Sequence, residues 1–180
     1  PLIIIVSKIL LIKQMKQLGF NFKINLINED YLHLNKLDNN KINIINVDYK
    51  FKRPFEKITI KSNNYITKCF ELALRMIKKN KSLSLVNGPI SKKSFLNDSF
   101  LGITEYLAKK NKRKNVAMLI YNKKLSVSPI TTHLPIKEVH KHITISKIIN
   151  HIKMIKTFYK KTFNKNPNIA ITGLNPHCES

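Results

Sequence analysis

The chain contains no tryptophan, four glycines, two cysteines and ten acidic residues against thirty-three basic ones. Each shortage excludes something. Cys69 and Cys178 lie far apart and make no ligand-type spacing. That argues against a disulfide framework and for a reducing cytoplasm. With so few glycines there is no GxGxxG or Walker-type loop to cradle a nucleotide phosphate. No stretch approaches the roughly 18 apolar residues of a membrane span, so no membrane partner is expected. The opening PLIIIVSKILLI resembles a signal-peptide core, but no basic segment precedes it and no small-residue cleavage site follows. The lack of a starting Met suggests instead that the true N-terminus lies upstream.

Arginine is scarce too. Of the basic residues only Arg53, Arg75 and Arg113 are arginine, and the formal charge of +23 is otherwise carried by lysine. A basic surface attracts nucleic acid, anionic lipid or phosphorylated metabolites. Base reading leans on the bidentate guanidinium, however, and AT-rich coding alone enriches Lys, Asn and Ile. A Lys-coated, solvated surface with no specific nucleic-acid partner is therefore the expectation. A basic nucleic-acid or anion-binding module stays as an alternative of a different class.

What is present is a globular hydrophobic content of 43% and an alternation of two periods. Leu2 to Val6 is a short β-branched run, as in a strand covered on both faces. Ser7 can cap a helix through Ile9, Ile12, Met15 and Leu18, with Gly19 as its stop. Phe22–Ile27 and Ile42–Val47 read as strands, with an Asn-rich loop between them. Ser62 or Asn63 can open a long helix through Ile66, Cys69, Leu72, Ala73 and Met76. Leu83–Val86 reads as a buried strand leaving through Asn87-Gly88-Pro89. Short helices follow at Ile90–Leu96 and Thr104–Lys110. Val116–Tyr121 and Leu125–Ile130 look like paired strands, Pro135 suits a first helical turn, Ser146–Phe163 is strongly helical, and Asn168–Thr172 is a last strand. Strands alternating with helices imply an α/β fold with a largely covered sheet. No internal repeat, linker or domain boundary is visible within 1–180.

Ligands in such folds sit beyond the carboxyl ends of strands. Three loops qualify: Asn87-Gly88-Pro89-Ile90-Ser91-Lys92, Thr131-Thr132-His133-Leu134-Pro135, and Gly173-Leu174-Asn175-Pro176-His177. His140, His142 and His151 lie on or beside amphipathic helices and read as surface or packing residues; His33 stands in a polar segment. Only His133 and His177 stand at strand ends, which suits metal ligation or proton transfer. Two imidazoles do not complete a catalytic metal site, which commonly takes three protein ligands and an open position. Lys92, at the mouth of a helix, could face a phosphate, or be one more surface lysine.

Taken together, these segments resemble the 4-hydroxythreonine-4-phosphate dehydrogenase family of pyridoxal phosphate biosynthesis. NGPISKKSF is similar to the family's TGPI-x-K, FLGITEYLA to F-x-GHTE-x-LA, TTHLPIKEV to TTHLPL, and GLNPHCES to GLNPHAGE, in the same order and spacing. The resemblance implies an isocitrate/isopropylmalate-dehydrogenase-like α/β/α fold with two subdomains. It also implies that 1–180 is a single internal fragment lacking the first strand and roughly the C-terminal 40% of the parent enzyme, inactive in isolation. The third metal histidine would lie in the missing part.

The implied reaction is NAD- or NADP-dependent oxidative decarboxylation of 4-phosphohydroxy-L-threonine to 3-amino-2-oxopropyl phosphate, with a divalent metal (Zn, Mg or Co). In it His133 and His177 are metal ligands, and Ile103 and Thr104 take substrate-binding positions; Lys92 lies in a matching motif, and a catalytic role for it is our own inference. The implied assembly is a homodimer sharing the metal site between subunits. Two departures stand out. GITE puts Ile103 where the family has a substrate-contacting histidine, and NPHCES puts Cys178 in place of a small alanine. Isoleucine offers an anionic ligand neither charge nor a hydrogen bond. A dehydrogenase for a related four-carbon acid phosphate, such as threonate or erythronate 4-phosphate, and a degenerate inactive homologue are the other readings.

Overall fold

The computed structural model describes residues 2–31, 37–97, 99–100 and 102–175. The chain divides into two compact units, Pro1–Asp98 and Ser99–Ser180.

In the first unit, three short β-branched runs pair as a parallel sheet. Strands β1 (Ile3–Val6), β2 (Ile24–Leu26) and β3 (Ile42–Asn46) lie in the order β1-β3-β2. Ile3 stands opposite Asn43 and Ile24 opposite Ile42. Central β3 is the most covered, with Ile44 fully buried. Helix α1 (Lys8–Gln17) leaves β1 through Ser7, whose Oγ accepts the Leu10 N–H at 3.4 Å. It ends as the glycine signal requires. Gly19 takes φ +75°, Phe20 N–H bonds Met15 O at 2.9 Å and Gly19 N–H bonds Lys16 O at 3.3 Å, the paired bonds of a left-handed helix stop.

Helix α2 (Asn63–Lys79) lays Leu72 and Met76 on Ile27 and Ile45, with Leu83 and Val47 at the margin of this core. Fully burying a side chain of this size is worth about 1.5–3 kcal/mol. The polar exception inside the sheet is Asn43. Its Oδ1 accepts from Asn25 Nδ2 (2.8 Å) and Asp38 N (2.9 Å), and its Nδ2 donates to Asp38 O (2.9 Å) and Leu2 O (3.4 Å). All four of its hydrogen-bonding capacities are used. One buried amide thus ties the central strand to both neighbours and to the loop before it. Tyr65 of α2 accepts the Ser7 N–H at 2.9 Å, and burial pushes its hydroxyl up to about 12. The Cys69 thiol is also raised, by the same loss of solvent.

The second unit is mainly helical among its described residues: α3 (Ile103–Lys110), α4 (Ile136–Val139) and α5 (Ile145–Phe163). Thr144 caps α5, its Oγ1 accepting the Lys147 N–H at 3.2 Å, and Asn164 closes it at φ +53°. Tyr121, Phe158, Tyr159 and Phe163 cluster, with Tyr121 and Phe163 stacked at 5.1 Å.

The expected strand pair is here a single antiparallel bridge, Ile120 to Val127, closed by an Asn122 turn. Segments 83–86 and 168–172 have no regular secondary structure and carry no ladder among the described residues. The apolar side chains along these stretches stay largely outside, Val86 at 83% and Leu125 at 74% exposed. Apolar β-branched runs predict an extended backbone, whereas a strand also needs a neighbouring backbone to take its N–H and C=O groups.

Candidate functional site

The Thr131–Pro135 loop places His133 in an unusual conformation. Four non-glycine residues take positive φ among those described: Asn97, Lys112, His133 and Asn164. Asn97 and Asn164 close helical segments, and Lys112 follows directly on the cap of α3. Left-handed residues are common at such stops. His133, at φ +57°, ends no helix. That conformation costs a side-chain-bearing residue roughly 1–2 kcal/mol, and strain of this kind concentrates where a side chain must be aimed.

The ring points back to the start of α3. Gly102 is buried and extended, with φ −166°, so its backbone would admit any residue. What it provides is room. A Cβ placed on Gly102 would stand 3.0 Å from Glu105 Oε2 and 3.9 Å from His133 Nε2. One point in space is therefore flanked by a carboxylate and an imidazole. Glu105 occupies the third helical position, where a glutamate often bonds back to the cap N–H. Here its Oε2 is buried and makes no hydrogen bond with any described residue. A carboxylate oxygen left in that state is costly unless a donor or cation completes it.

This donor set suits a divalent cation or a protonated ligand group. His133 is exposed and its ring has no hydrogen-bond partner among the described residues, so it can serve as one metal ligand; three His, Cys, Asp or Glu converge nowhere among those residues. His177, the second expected ligand, lies outside them, as do Cys178 and His33. Ile103 and Thr104, the substrate-binding candidates, are half-buried in the first turn of α3, on either side of the Gly102–Glu105 contact. Lys92 belongs to the first unit. It is exposed at the start of a single wide turn, Lys92–Leu96, whose Ser91 cap accepts the Ser94 N–H at 3.4 Å. No described loop has the glycine-rich form that wraps a dinucleotide.

Glu105 was the residue the sequence signalled least. A glutamate three positions after a helix-opening glycine reads as an ordinary partner of the helix dipole. Only its buried, unsatisfied oxygen shows otherwise. His151, expected to be a packing residue, is buried at 5% exposed, and its Nε2 lies 2.6 Å from Ser128 Oγ.

The family model for pyridoxal phosphate biosynthetic protein PdxA matches residues 1–180. A 4-hydroxythreonine-4-phosphate dehydrogenase of Sulfurihydrogenibium sp. is 40% identical over 111 residues, 60% of this chain and 34% of that protein. The enzyme of the same name from Neisseria meningitidis is 36% identical over 121 residues, 63% of this chain and 36% of its own. In the solved structures, the chain superposes on 4-hydroxythreonine-4-phosphate dehydrogenase from Klebsiella pneumoniae with a TM-score of 0.84 at 21% identity, over 98% of this chain and 55% of that one. The chain thus spans little more than half the length of that relative, and its fold is the isocitrate-dehydrogenase-like α/β arrangement.

Proposed function

The chain belongs to the PdxA family of pyridoxal phosphate biosynthetic proteins, and on that premise we propose that the protein oxidises 4-phosphohydroxy-L-threonine with NAD or NADP. The product, a 2-amino-3-keto acid, loses carbon dioxide to give 3-amino-2-oxopropyl phosphate. The observation that carries this reading is the convergence of the Gly102–Glu105 turn and His133 on one point, made by two of the segments that resemble the family.

His133 would hold a divalent metal together with His177 and a third ligand. Such a metal, once bound, polarises the substrate oxygen and stabilises charge developing on it during oxidation and loss of carbon dioxide. The rest falls to this chain's own side chains. Thr104 offers a hydroxyl to the substrate from the first turn of α3. Gly102 keeps the space between carboxylate and imidazole open for a substrate atom. Glu105 presents a buried acceptor there, able to hold a substrate donor in one orientation. Lys92 supplies a cation to a phosphorylated ligand. No residue of this chain is assigned to the nicotinamide cofactor.

A second reading follows from Ile103. Half-buried beside Thr104, it presents an apolar face where the family presents an imidazole, so a related four-carbon acid phosphate, threonate or erythronate 4-phosphate, is the competing substrate. The deciding assay follows nicotinamide reduction by a chain extended to the relatives' full length, with each of the three substrates and with metal added or chelated. Metal-dependent turnover fastest on 4-phosphohydroxythreonine supports the first reading. A higher kcat/KM on threonate or erythronate 4-phosphate replaces it. The homodimer sharing its metal site remains part of the proposal, and sedimentation of that extended chain would test it.

A further inference from the structure

Glu105 stands where a helix-capping glutamate would, three positions after Gly102, from which such a side chain commonly returns to the cap N–H. Its Oε2 is instead buried, with no hydrogen-bond partner among the described residues. A carboxylate oxygen left in that state is costly to the folded chain. The cost has a use if a donor arrives at that atom when the site is occupied.

The element that carries this oxygen is held firmly. Tyr106, the next residue, is 6% exposed and meets Phe100 edge-on at 5.5 Å. Its N–H bonds Gly102 O at 3.2 Å. Gly102 makes the room, since a Cβ there would press on Oε2 at 3.0 Å. His133 Nε2 lies 3.9 Å from that same point. His133 is carried by a loop, not by a helix or strand. Its left-handed backbone sets where the exposed ring starts but not how it turns about its own torsions. An imidazole that ligates a metal through one nitrogen keeps an N–H on the other. An acceptor for that hydrogen fixes the tautomer and the plane of the ring.

We infer that Glu105 is the positioning residue of His133. Its Oε2 accepts the N–H of the ring nitrogen turned away from the metal, so that rigid α3 aims a ligand carried by the loop. Contact requires the exposed ring to swing toward the carboxylate and leaves the helix where it is. The second carboxylate oxygen remains for the substrate donor assigned to Glu105 above. The inference rests on the reading of His133 as a metal ligand, and it gives a reason for burying a charge beside that ligand.

The test is titration of the metal-free chain, extended to the relatives' full length, with Co(II) followed by its visible absorption, alongside thermal unfolding without metal. Glu105→Gln should weaken Co(II) binding roughly tenfold or more, as loss of a ligand's hydrogen-bond partner does. The same variant should leave the metal-free Tm unchanged or raise it, because an unpartnered buried charge has gone. Gly102→Ala, which crowds Oε2 away from the cap, should weaken Co(II) in the same direction. Glu138→Gln, on α4, removes an equal charge that Lys141 already pairs and should leave Co(II) binding unchanged. Affinity that is kept in Glu105→Gln but lost in His133→Ala leaves the metal reading standing and overturns the positioning role. A fall in metal-free Tm alongside weaker binding marks Glu105 as structural and also overturns it, as does an equal effect of Glu138→Gln. Affinity unchanged in His133→Ala overturns both readings, since His133 then holds no metal.

Discussion

At the scale of single residues, His133 separates into a backbone and a ring. The backbone holds a left-handed conformation that glycine adopts freely and alanine does not. His133→Ala, in a chain extended to the relatives' full length, should abolish metal-dependent turnover and lower Tm slightly. His133→Gly should lose the same turnover without that loss of Tm, and free imidazole added to the glycine variant should restore part of the activity. Equal, large losses of Tm in both variants would mark a packing residue instead. Ile103 poses the opposite question, since the resemblance puts an imidazole at its position. An imidazole contact to an anionic substrate is typically worth about 1.5–3 kcal/mol. With Gly102, Thr104 and Glu105 all in register, the expected result of Ile103→His is an unchanged or lower kcat/KM on phosphohydroxythreonine. A sharp rise would mean that the pocket has drifted from that substrate. The loop position of His133 was legible in the sequence from Thr131-Thr132-His133-Leu134-Pro135, although the strand expected before it is only the Ile120–Val127 bridge; Lys92 opens a helical turn instead. The approach of His133 and Glu105 to one point beside Gly102 was not legible, because burial of one carboxylate oxygen has no sequence signature.

Among the elements, those with a complete local code were legible. α1 carried its serine cap and glycine stop, α5 its period of Ile149, Ile152, Ile155 and Phe158, and β1 and β3 their β-branched runs. The start of α5 lay one residue before expectation, at Ile145, behind a Thr144 cap. Thr144→Ala should cost about 1 kcal/mol through the lost cap, read as a lower Tm. No change in Tm would mean that the Lys147 N–H finds another acceptor. The strands expected after Lys81 failed for another reason. Their apolar pattern marks where a strand could run, but not that a neighbouring backbone takes its N–H and C=O groups; of the expected local pair, a single bridge, Ile120 to Val127, forms.

α2 also carries a pH signature. Tyr65 titrates near 10.0 when unfolded and is pushed up to about 12 by burial in the folded chain. The folded state therefore holds its proton longer. The stability linked to this group is complete below pH 10 and is lost as pH rises through about 12. Chemical denaturation across that window should show a decline in the natural chain that Tyr65→Phe lacks. Identical alkaline curves for the two would remove Tyr65 as the cause.

Across the whole molecule, charge and exposed apolar surface have to be read together. The segments near Val86, Leu125 and Ile171 present apolar side chains to solvent and carry no strand ladder among the described residues, and backbone left unpaired is a template for joining other chains. Lysines stand at their margins: Lys81 before Leu83, Lys123 and Lys124 before Leu125, Lys165 before Ile171. Such residues act as gatekeepers, and a formal charge of +23 extends their repulsion from the segment to the molecule. The lysine excess then has a colloidal role that needs no nucleic acid. Repulsion between exposed charges is screened over about 10 Å at 0.1 M salt and about 3 Å at 1 M. Light scattering should accordingly find the chain dispersed at low ionic strength and self-associating as sodium chloride is raised, with the onset moved to lower salt by replacing Lys123 and Lys124 with glutamine. Scattering that falls as salt is added would show that the lysines attract an anionic bridge rather than hold copies of the chain apart.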